Sequence, residues 1–249
     1  MIKTSKMLLS ILLFILTWWA IQYLTKTPEF ILPNPYNVLL SIINNKNILF
    51  FHSLVTFSEI IVGFLLGIIL GIYTGILFII SKNTRRWLLP FIIFMQAIPI
   101  FALAPVLTLW FGYGIWSKII MTTTIIYFPI TIAFYDGLKR INPMIVNMAK
   151  LMRANRVTML TKIRIPHALP HLSSGLKLAA AFAPMGAVIG EWVGSSNGLG
   201  YLMLYASGRV QIDLMFSAII ILALFTLLLY NITSYITTEL TKWDPKSNL

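Results

Sequence analysis

Few residues in this 249-residue chain belong to the types that usually carry catalysis or bind metals. It contains three His, no Cys and seven acidic residues, and the acids are scattered along the sequence. His167 and His171 stand four residues apart, a spacing typical of metal ligands, but they flank Pro170 and have no carboxylate or cysteine nearby. Because a zinc site needs three or four ligands, the sequence predicts no metal site and no catalytic residue.

A glycine-rich segment at residues 194–200 resembles a phosphate-binding loop only in its glycine content. It lacks the Gly-Lys-Ser/Thr ending of a P-loop, and no such ending occurs elsewhere in the chain. We therefore expect a turn at this segment and no cofactor on this chain. If ATP and magnesium drive its function, they bind to a separate polypeptide.

The composition indicates that most of the protein surface faces lipid. Hydrophobic residues make up 58% of the sequence and charged residues 10%, and the mean hydropathy is +0.86. Soluble domains carry about 25% charged residues. The net charge of +12 would favour a nucleic-acid partner only if the cations did not follow a membrane topology.

Six segments are apolar over the roughly 20 residues that a membrane-spanning helix needs. They are about residues 7–24, 55–80, 88–110, 115–135, 174–193 and 215–236. The sequence therefore predicts an all-α polytopic membrane protein in which residues 1–249 form one transmembrane domain. No small-x-small cleavage site follows the first segment, so we expect it to be an uncleaved span.

The basic residues are distributed unevenly between the two sides of the predicted membrane. With the N-terminus in the cytoplasm, four of the 19 Lys and Arg residues lie outside (Lys26, Lys46, Lys118 and Arg209), and the other 15 lie inside. The positive-inside rule then places both termini in the cytoplasm. The excess of positive charge follows this topology, and we expect no nucleic-acid partner.

Four glycines in the second span recur at four-residue intervals: Gly63, Gly67, Gly71 and Gly75. At about 100° per residue they form one slowly winding stripe, along which another helix can approach closely. We expect this stripe to pack against a helix; a moving or pore-lining surface is the alternative.

Glu191 and Trp192 lie near the outer end of the fifth predicted span. Ionisable side chains at membrane depth are costly and tend to be functional, so we predict that these residues line the substrate pathway or its gate. If the span ends earlier, Glu191 is simply hydrated. Glu59 and Asp136 lie near span ends, and we expect both to be interfacial.

The long hydrophilic segment at about residues 137–172 carries a helical pattern. Asn142 and Pro143 are typical of a helix start, and apolar residues follow at helical spacing. A second short helix is predicted around Val157, and Pro166 is expected to end it. Two short helices, each with an apolar and a basic face, suit docking into a groove of a partner protein.

Within this segment the sequence resembles the loop signature of permease subunits of ATP-binding-cassette (ABC) importers. That signature reads Glu-Ala-Ala, three residues, Gly, nine residues and Ile-x-Leu-Pro. The chain keeps the spacing and matches it at Ala149, Ile163 and Pro166, and it departs from it at Asn147, Met148, Arg153 and Ile165. Glycine adopts positive φ cheaply and arginine does not, so the geometry of the turn at Arg153 is open.

The resemblance extends over roughly the whole chain. Residues 96–112, with Gln-Ala-Ile-Pro, Ala-Pro and Trp-Phe-Gly, are similar to permeases of the nitrate, sulfonate and taurine group. Residues 190–201, with Gly-Glu-Trp-Val-Gly-Ser-Ser and Gly-Leu-Gly-Tyr, look closer to the branch that imports hydroxymethylpyrimidine, a thiamine precursor.

The resemblance implies a type I importer permease fold in a bacterial cytoplasmic (inner) membrane. It also implies a pore formed with a second copy of the chain, cytoplasmic ATPases that grip the loop, and an extracytoplasmic binding protein that delivers substrate. A pyrimidine thiamine precursor and a sulfonate- or nitrate-like anion are the cargoes it suggests. The resemblance leaves open whether the pore is a homodimer or a heterodimer.

Two other functions would require residue patterns of their own. A self-sufficient ion-coupled secondary transporter favours carboxylates near the membrane midplane and internal repeats. A membrane-bound transferase needs clustered catalytic polar groups. The sequence shows neither pattern, so the permease hypothesis leads and the secondary transporter is the alternative.

Overall fold

The computed structural model describes residues 2–243 and, within the first helix, the side chains of Leu9, Leu13 and the residues from Ile15 onward. The described residues form helices and short connections, without strands. In chain order the helices are α1 (Ile2–Thr25), α2 (Pro35–Asn44), α3 (Lys46–Ile80), α4 (Lys82–Ala97), α5 (Ile100–Phe111), α6 (Ile115–Lys139), α7 (Pro143–Leu151), α8 (Arg156–Thr158), α9 (Ile165–Gly194), α10 (Leu199–Gly208) and α11 (Ile212–Leu240), with a π-helical segment at Met159–Arg164. The predicted all-α architecture is confirmed.

Among the described residues, four helices are long and apolar enough to cross a membrane: α3, α6, the helix that ends with α9, and α11. Helices α4 and α5 make a fifth span only as a pair, because they are bent by 105° at the break between them. Helix α1, with 24 residues, occupies the first predicted span. Four or five of the six predicted spans are therefore found among the described residues, and α1 is a helix at the place of the remaining one.

The prediction of one helix over residues 88–110 is wrong, because this span is broken at Ile98 and Pro99. A residue before proline is driven out of the α region, and Ile98 is extended, with φ −76° and ψ 125°. Pro99 follows with φ −58° and ψ 127°. Two successive extended residues turn the chain here and open one side of the helix bundle.

The expectation that Pro166 ends a helix is also wrong. Helix α8, the π-helical segment and α9 run without a break from Arg156 to Gly194. In the π-helical segment the Ile165 N–H bonds to the Leu160 carbonyl, five residues earlier. This wider turn accommodates the proline ring and its missing N–H, as π-bulges do elsewhere.

Helix α6 lies between α3 and α9 and packs closely against both. Along α3, the glycine stripe at residues 63–75 faces Thr122, Ile126, Ile130 and Phe134 of α6 in register. A Cβ added at Gly67 would lie 2.6 Å from Ile126 Cδ1, too close for real atoms. Gly186 of α9 meets Thr122 from the other side. Small residues on two helices thus let three backbones approach closely, as is common in membranes.

Candidate functional site

The segment between α6 and α9 presents exposed apolar side chains. Asn142 caps α7, and its Oδ1 accepts a hydrogen bond from Met144 N at 2.9 Å. We call the docking face the five most exposed apolar side chains of this segment, those of Met144, Met148, Leu151, Met152 and Val157. Leu151 is 85% exposed. An apolar patch of this kind on a protein surface marks an interaction site.

Arg153 adopts the left-handed conformation, with φ 57°. Its N–H bonds to the Lys150 carbonyl at 2.9 Å, and the Ala154 N–H bonds to the Ala149 carbonyl at 2.9 Å. This pair of bonds is a Schellman motif, the helix ending in which glycine usually occupies the left-handed position. The turn therefore keeps the glycine-type geometry although arginine stands there.

The base of the loop is attached to α6. Arg164 Nη1 donates a hydrogen bond to the Leu138 carbonyl at 2.9 Å, near the end of α6. At the same place a Cβ on Gly137 would lie 2.9 Å from Ala168 Cα of α9. The base of the loop is therefore in contact with both α6 and α9.

The residues that match or replace the loop signature do not form one surface. Asn147, Met148 and Arg153 are exposed, whereas Ala149 lies on the buried side of α7. The other three, Ile163, Ile165 and Pro166, are half-buried within the continuous helix. Ala149 thus faces the protein, and the exposed apolar neighbours on α7 supply the contact surface.

At the opposite end of the bundle, Glu191 is buried and anchors the N-terminus of α10. Its Oε2 accepts hydrogen bonds from Gly200 N at 2.5 Å and Tyr201 N at 3.4 Å, and its Oε1 accepts one from the Thr56 hydroxyl at 2.6 Å. Because Glu191 is only 1% exposed, the alternative of a simply hydrated side chain is wrong. A carboxylate at a helix N-terminus interacts favourably with the helix dipole.

Two side chains of α3 complete this anchor. Thr56 Oγ1 accepts a hydrogen bond from Leu199 N at 2.7 Å, and His52 Nδ1 accepts one from Gly198 N at 2.9 Å. The N–H groups of residues 198–201 therefore all have side-chain acceptors from other helices. Such groups have no partner within their own helix, so α10 is fixed to α3 and α9 by its first turn.

The predicted turn at residues 194–200 is shorter than expected, because α10 already begins at Leu199. Ser195 Oγ donates a hydrogen bond to Asn197 O at 2.6 Å and accepts one from Asn197 N at 3.3 Å. Gly198 has φ 109°, and a Cβ there would overlap the Glu191 carboxylate. Only glycine fits this position.

Lys118, which sequence reasoning treated only as an outside cation, is buried beside the same turn. Its Nζ donates to the carbonyls of Tyr113 at 2.6 Å, Gly114 at 2.9 Å and Gly194 at 3.3 Å. Gly194 is the last residue of α9, where a cation interacts favourably with the helix dipole. The C-terminal end of α9 is therefore paired with a basic side chain, Lys118, and the N-terminus of α10 with an acidic one, Glu191.

The expectation that Glu59 is interfacial is wrong, because it is only 1% exposed. It lies four residues before Gly63, so it continues the glycine stripe that faces α6, and this spacing was the signal available in the sequence. Its carboxyl group interacts with that of Glu191. Asp136, by contrast, is partly exposed and pairs with Arg140.

A cavity of about 650 Å³ lies between the α4–α5 break, α6 and α9. Its lining is mostly apolar, with Phe128 and Phe182 among the large side chains, and Gln96, Thr124 and Ser174 supply polar groups. Trp192 lies outside it and contacts Phe101, with ring centroids 6.0 Å apart. The cavity is thus separate from the hydrogen bonds that Glu191 makes to α10.

Within the part of the chain that is described, no group of three His, Cys, Asp or Glu residues could hold a metal ion.

Comparison with known proteins identifies the family. Residues 63–242 match the family model described as the binding-protein-dependent transport system inner membrane component, and the chain belongs to this family. It is 44% identical over 229 residues to a probable ABC transporter permease protein of Haemophilus influenzae, covering 92% of this chain and 94% of that protein. It is 33% identical over 235 residues to the formylaminopyrimidine transport permease protein ThiX of Halalkalibacterium halodurans, covering 94% of each chain.

A solved structure supports the same fold. The inward-facing MetNI methionine ABC transporter matches with a TM-score of 0.65 at 19% identity, over 75% of this chain and 93% of that chain. The chain is a membrane-embedded permease subunit of an ABC importer, a transport component. The predicted family and the type I permease fold are confirmed.

Proposed function

We propose that this permease imports a planar, nitrogen-containing aromatic solute of the pyrimidine class, driven by a separate ATPase that docks on the α7–α8 loop. The docking face is the observation that supports binding of an ATPase to this loop. Its five apolar side chains lie on α7, on the turn that follows it and on α8, and they lack cover within the described chain. Basic residues surround them, so a groove with an apolar floor and an acidic rim is the complementary surface.

The loop is built to transmit force from such a partner. The Schellman motif fixes the end of α7, and the Arg164 bond attaches the following helix to α6. Since α9 continues from the loop without a break to Glu191, a displacement at the docking face reaches the far end of the bundle along one helix. In this proposal Glu191 and Trp192 belong to the gate at that end.

The remaining partners follow from the same proposal. A second copy of the chain completes the pore, and a binding protein delivers the cargo to the face that carries α10. ATP and magnesium are held by the ATPase, both termini lie in the cytoplasm, and the membrane is the bacterial inner membrane. Membership of the permease family leaves the ion-coupled alternative without support.

The cavity favours a pyrimidine over a sulfonate or nitrate-like anion. Aromatic and apolar side chains suit the faces of a planar ring, and Gln96, Thr124 and Ser174 offer donors and acceptors for ring nitrogens and amino groups. None of the described lining residues is Lys or Arg, although an anion in an apolar cavity needs a positive partner. The ThiX relative is named for formylaminopyrimidine transport.

Affinity purification of the tagged protein in mild detergent tests the coupling. We expect a P-loop ATPase in equal amount, lost in Leu151→Asp and retained in Thr161→Asp, which adds the same charge at an exposed polar position of the loop. Recovery of the ATPase with Leu151→Asp would overturn the proposal that the ATPase binds the docking face.

A second test measures the cargo by adding labelled formylaminopyrimidine or taurine to cells. Uptake of the pyrimidine that is reduced by Phe182→Ala supports a pyrimidine cargo, and uptake of taurine alone contradicts it.

A further inference from the structure

Glu59 and Glu191 form a buried pair of carboxyl groups contributed by α3 and α9. Each side chain is 1% exposed, and the two groups interact directly. Two ionised carboxylates in contact repel each other, and removing them from water increases the cost. The pair therefore needs either a cation between its members or a proton.

The nearby cation does not pair with them. Lys118 directs its Nζ to three backbone carbonyls, which occupy its three donors. In the part of the chain that the structure describes, ion pairs join Arg140 to Asp136 and Lys242 to Glu239, and neither involves this cluster. If the two carboxyl groups hold one proton between them, Glu59, Glu191 and Lys118 together have no net charge.

The two carboxyl groups differ in the hydrogen bonds that they receive. Both oxygens of Glu191 accept hydrogen bonds, from Thr56, Gly200 and Tyr201, so this side chain acts as an acceptor throughout. Glu59 Oε2, by contrast, is buried and receives no hydrogen bond from any described residue. A carboxyl group that holds a proton becomes a donor, whereas an ionised one can only accept.

We propose that Glu59 holds a proton in the folded protein and donates it in a hydrogen bond to ionised Glu191. Glu59 is then a positioning residue. It holds the Glu191 carboxylate against the N-terminus of α10 and gives α3 a second hydrogen bond to Glu191, beside the one from Thr56. The inference concerns this chain alone and does not depend on the cargo or on the ATPase.

Infrared spectroscopy of the full-length chain in lipid nanodiscs tests the proposal. At neutral pH we expect the carbonyl band of a protonated carboxylic acid, shifted by ¹³C-labelling of glutamate. The other two glutamates of the chain, Glu29 and Glu239, are exposed. The band should be lost in Glu59→Gln and retained in Glu191→Gln. A wild-type protein without a glutamate-dependent band overturns the proposal, and this outcome needs no variant to fold.

Amide hydrogen exchange distinguishes a hydrogen-bond donor at position 59 from a side chain that only fills space. Glutamine at position 59 still donates to Glu191, whereas methionine has a similar size and no donor. We expect amide hydrogen exchange of residues 198–201 to stay near wild type in Glu59→Gln and to rise about tenfold in Glu59→Met, the ratio typical of one hydrogen bond to a charged group. Equal exchange in the two variants, or a band that disappears only in Glu191→Gln, contradicts the assignment of the proton to Glu59.

Discussion

The Thr56 hydroxyl lies 2.6 Å from Glu191 Oε1, and this hydrogen bond joins residues 135 positions apart in the chain. The same hydroxyl oxygen accepts the Leu199 N–H. One threonine of α3 thus contacts both the end of α9 and the start of α10. The α9–α10 turn is therefore held by hydrogen bonds to α3 at the end of the bundle opposite the docking face.

Thr56→Val is expected to destabilise this turn. Valine has the shape of threonine but leaves the Leu199 N–H and one Glu191 oxygen without a partner in a buried site. An unsatisfied buried group costs about 1–3 kcal/mol. Thermal unfolding in detergent measures the loss, and Thr56→Ser, which keeps the hydroxyl, is the matched control. Equal melting temperatures for the two variants would show that the hydroxyl contributes nothing.

Glu191→Gln is expected to lower uptake while the subunits still assemble. The amide replaces one acceptor oxygen by an NH₂ group, which faces donors from Thr56, Gly200 or Tyr201. Loss of a charge-assisted hydrogen bond of this kind costs about 1.5–3 kcal/mol. Uptake in cells measures transport, and gel filtration of the purified complex measures assembly. Normal uptake would exclude a role for Glu191 at the gate.

Gly67→Ala is expected to destabilise the packing of α3 on α6. The new Cβ would lie 2.6 Å from Ile126, whose side chain is fully buried, and overpacking of this kind costs about 1–3 kcal/mol. Gly208→Ala is the control, because nothing lies within 4 Å of a Cβ there. Chemical unfolding in mild detergent should separate the two variants. If both behave alike, the glycine stripe does not limit the approach of the helices.

Arg153→Gly is expected to stabilise the loop by about 1 kcal/mol, since glycine adopts the left-handed conformation without the cost that a Cβ imposes. Hydrogen exchange of residues 149–154 measures this local stability. Arg153→Ala removes the charge and keeps the Cβ, so it separates backbone strain from electrostatic contact with the ATPase. Faster exchange in the glycine variant would contradict the strain argument.

Arg164→Met is expected to weaken the coupling of ATP hydrolysis to uptake, because it removes the bond from the loop base to the Leu138 carbonyl. The rate of uptake per ATP hydrolysed in proteoliposomes measures this. Lys162→Met removes a charge from an exposed position of the same segment and serves as the control. A similar fall in both variants would assign the effect to charge and not to the attachment.

The sequence determined those features that depend on local composition and periodicity. Hydropathy gave the spans, and four-residue spacing gave the glycine stripe that packs on α6. The Asn142–Pro143 pair gave the start of α7, and the loop signature gave the family. Each of these patterns lies within one helix or one loop, so it can be read without knowing which helices are neighbours.

Only the tertiary structure decided how the polar groups are used. Glu59, Lys118 and Glu191 lie on three different helices, and their burial and partners depend on how α3, α6 and α9 pack. Continuation of the helix through Pro166 and the break at Pro99 show the same limit, because proline alone does not specify whether a helix bends, widens or stops. A buried polar side chain is stable only with partners, and here those partners come from distant parts of the chain.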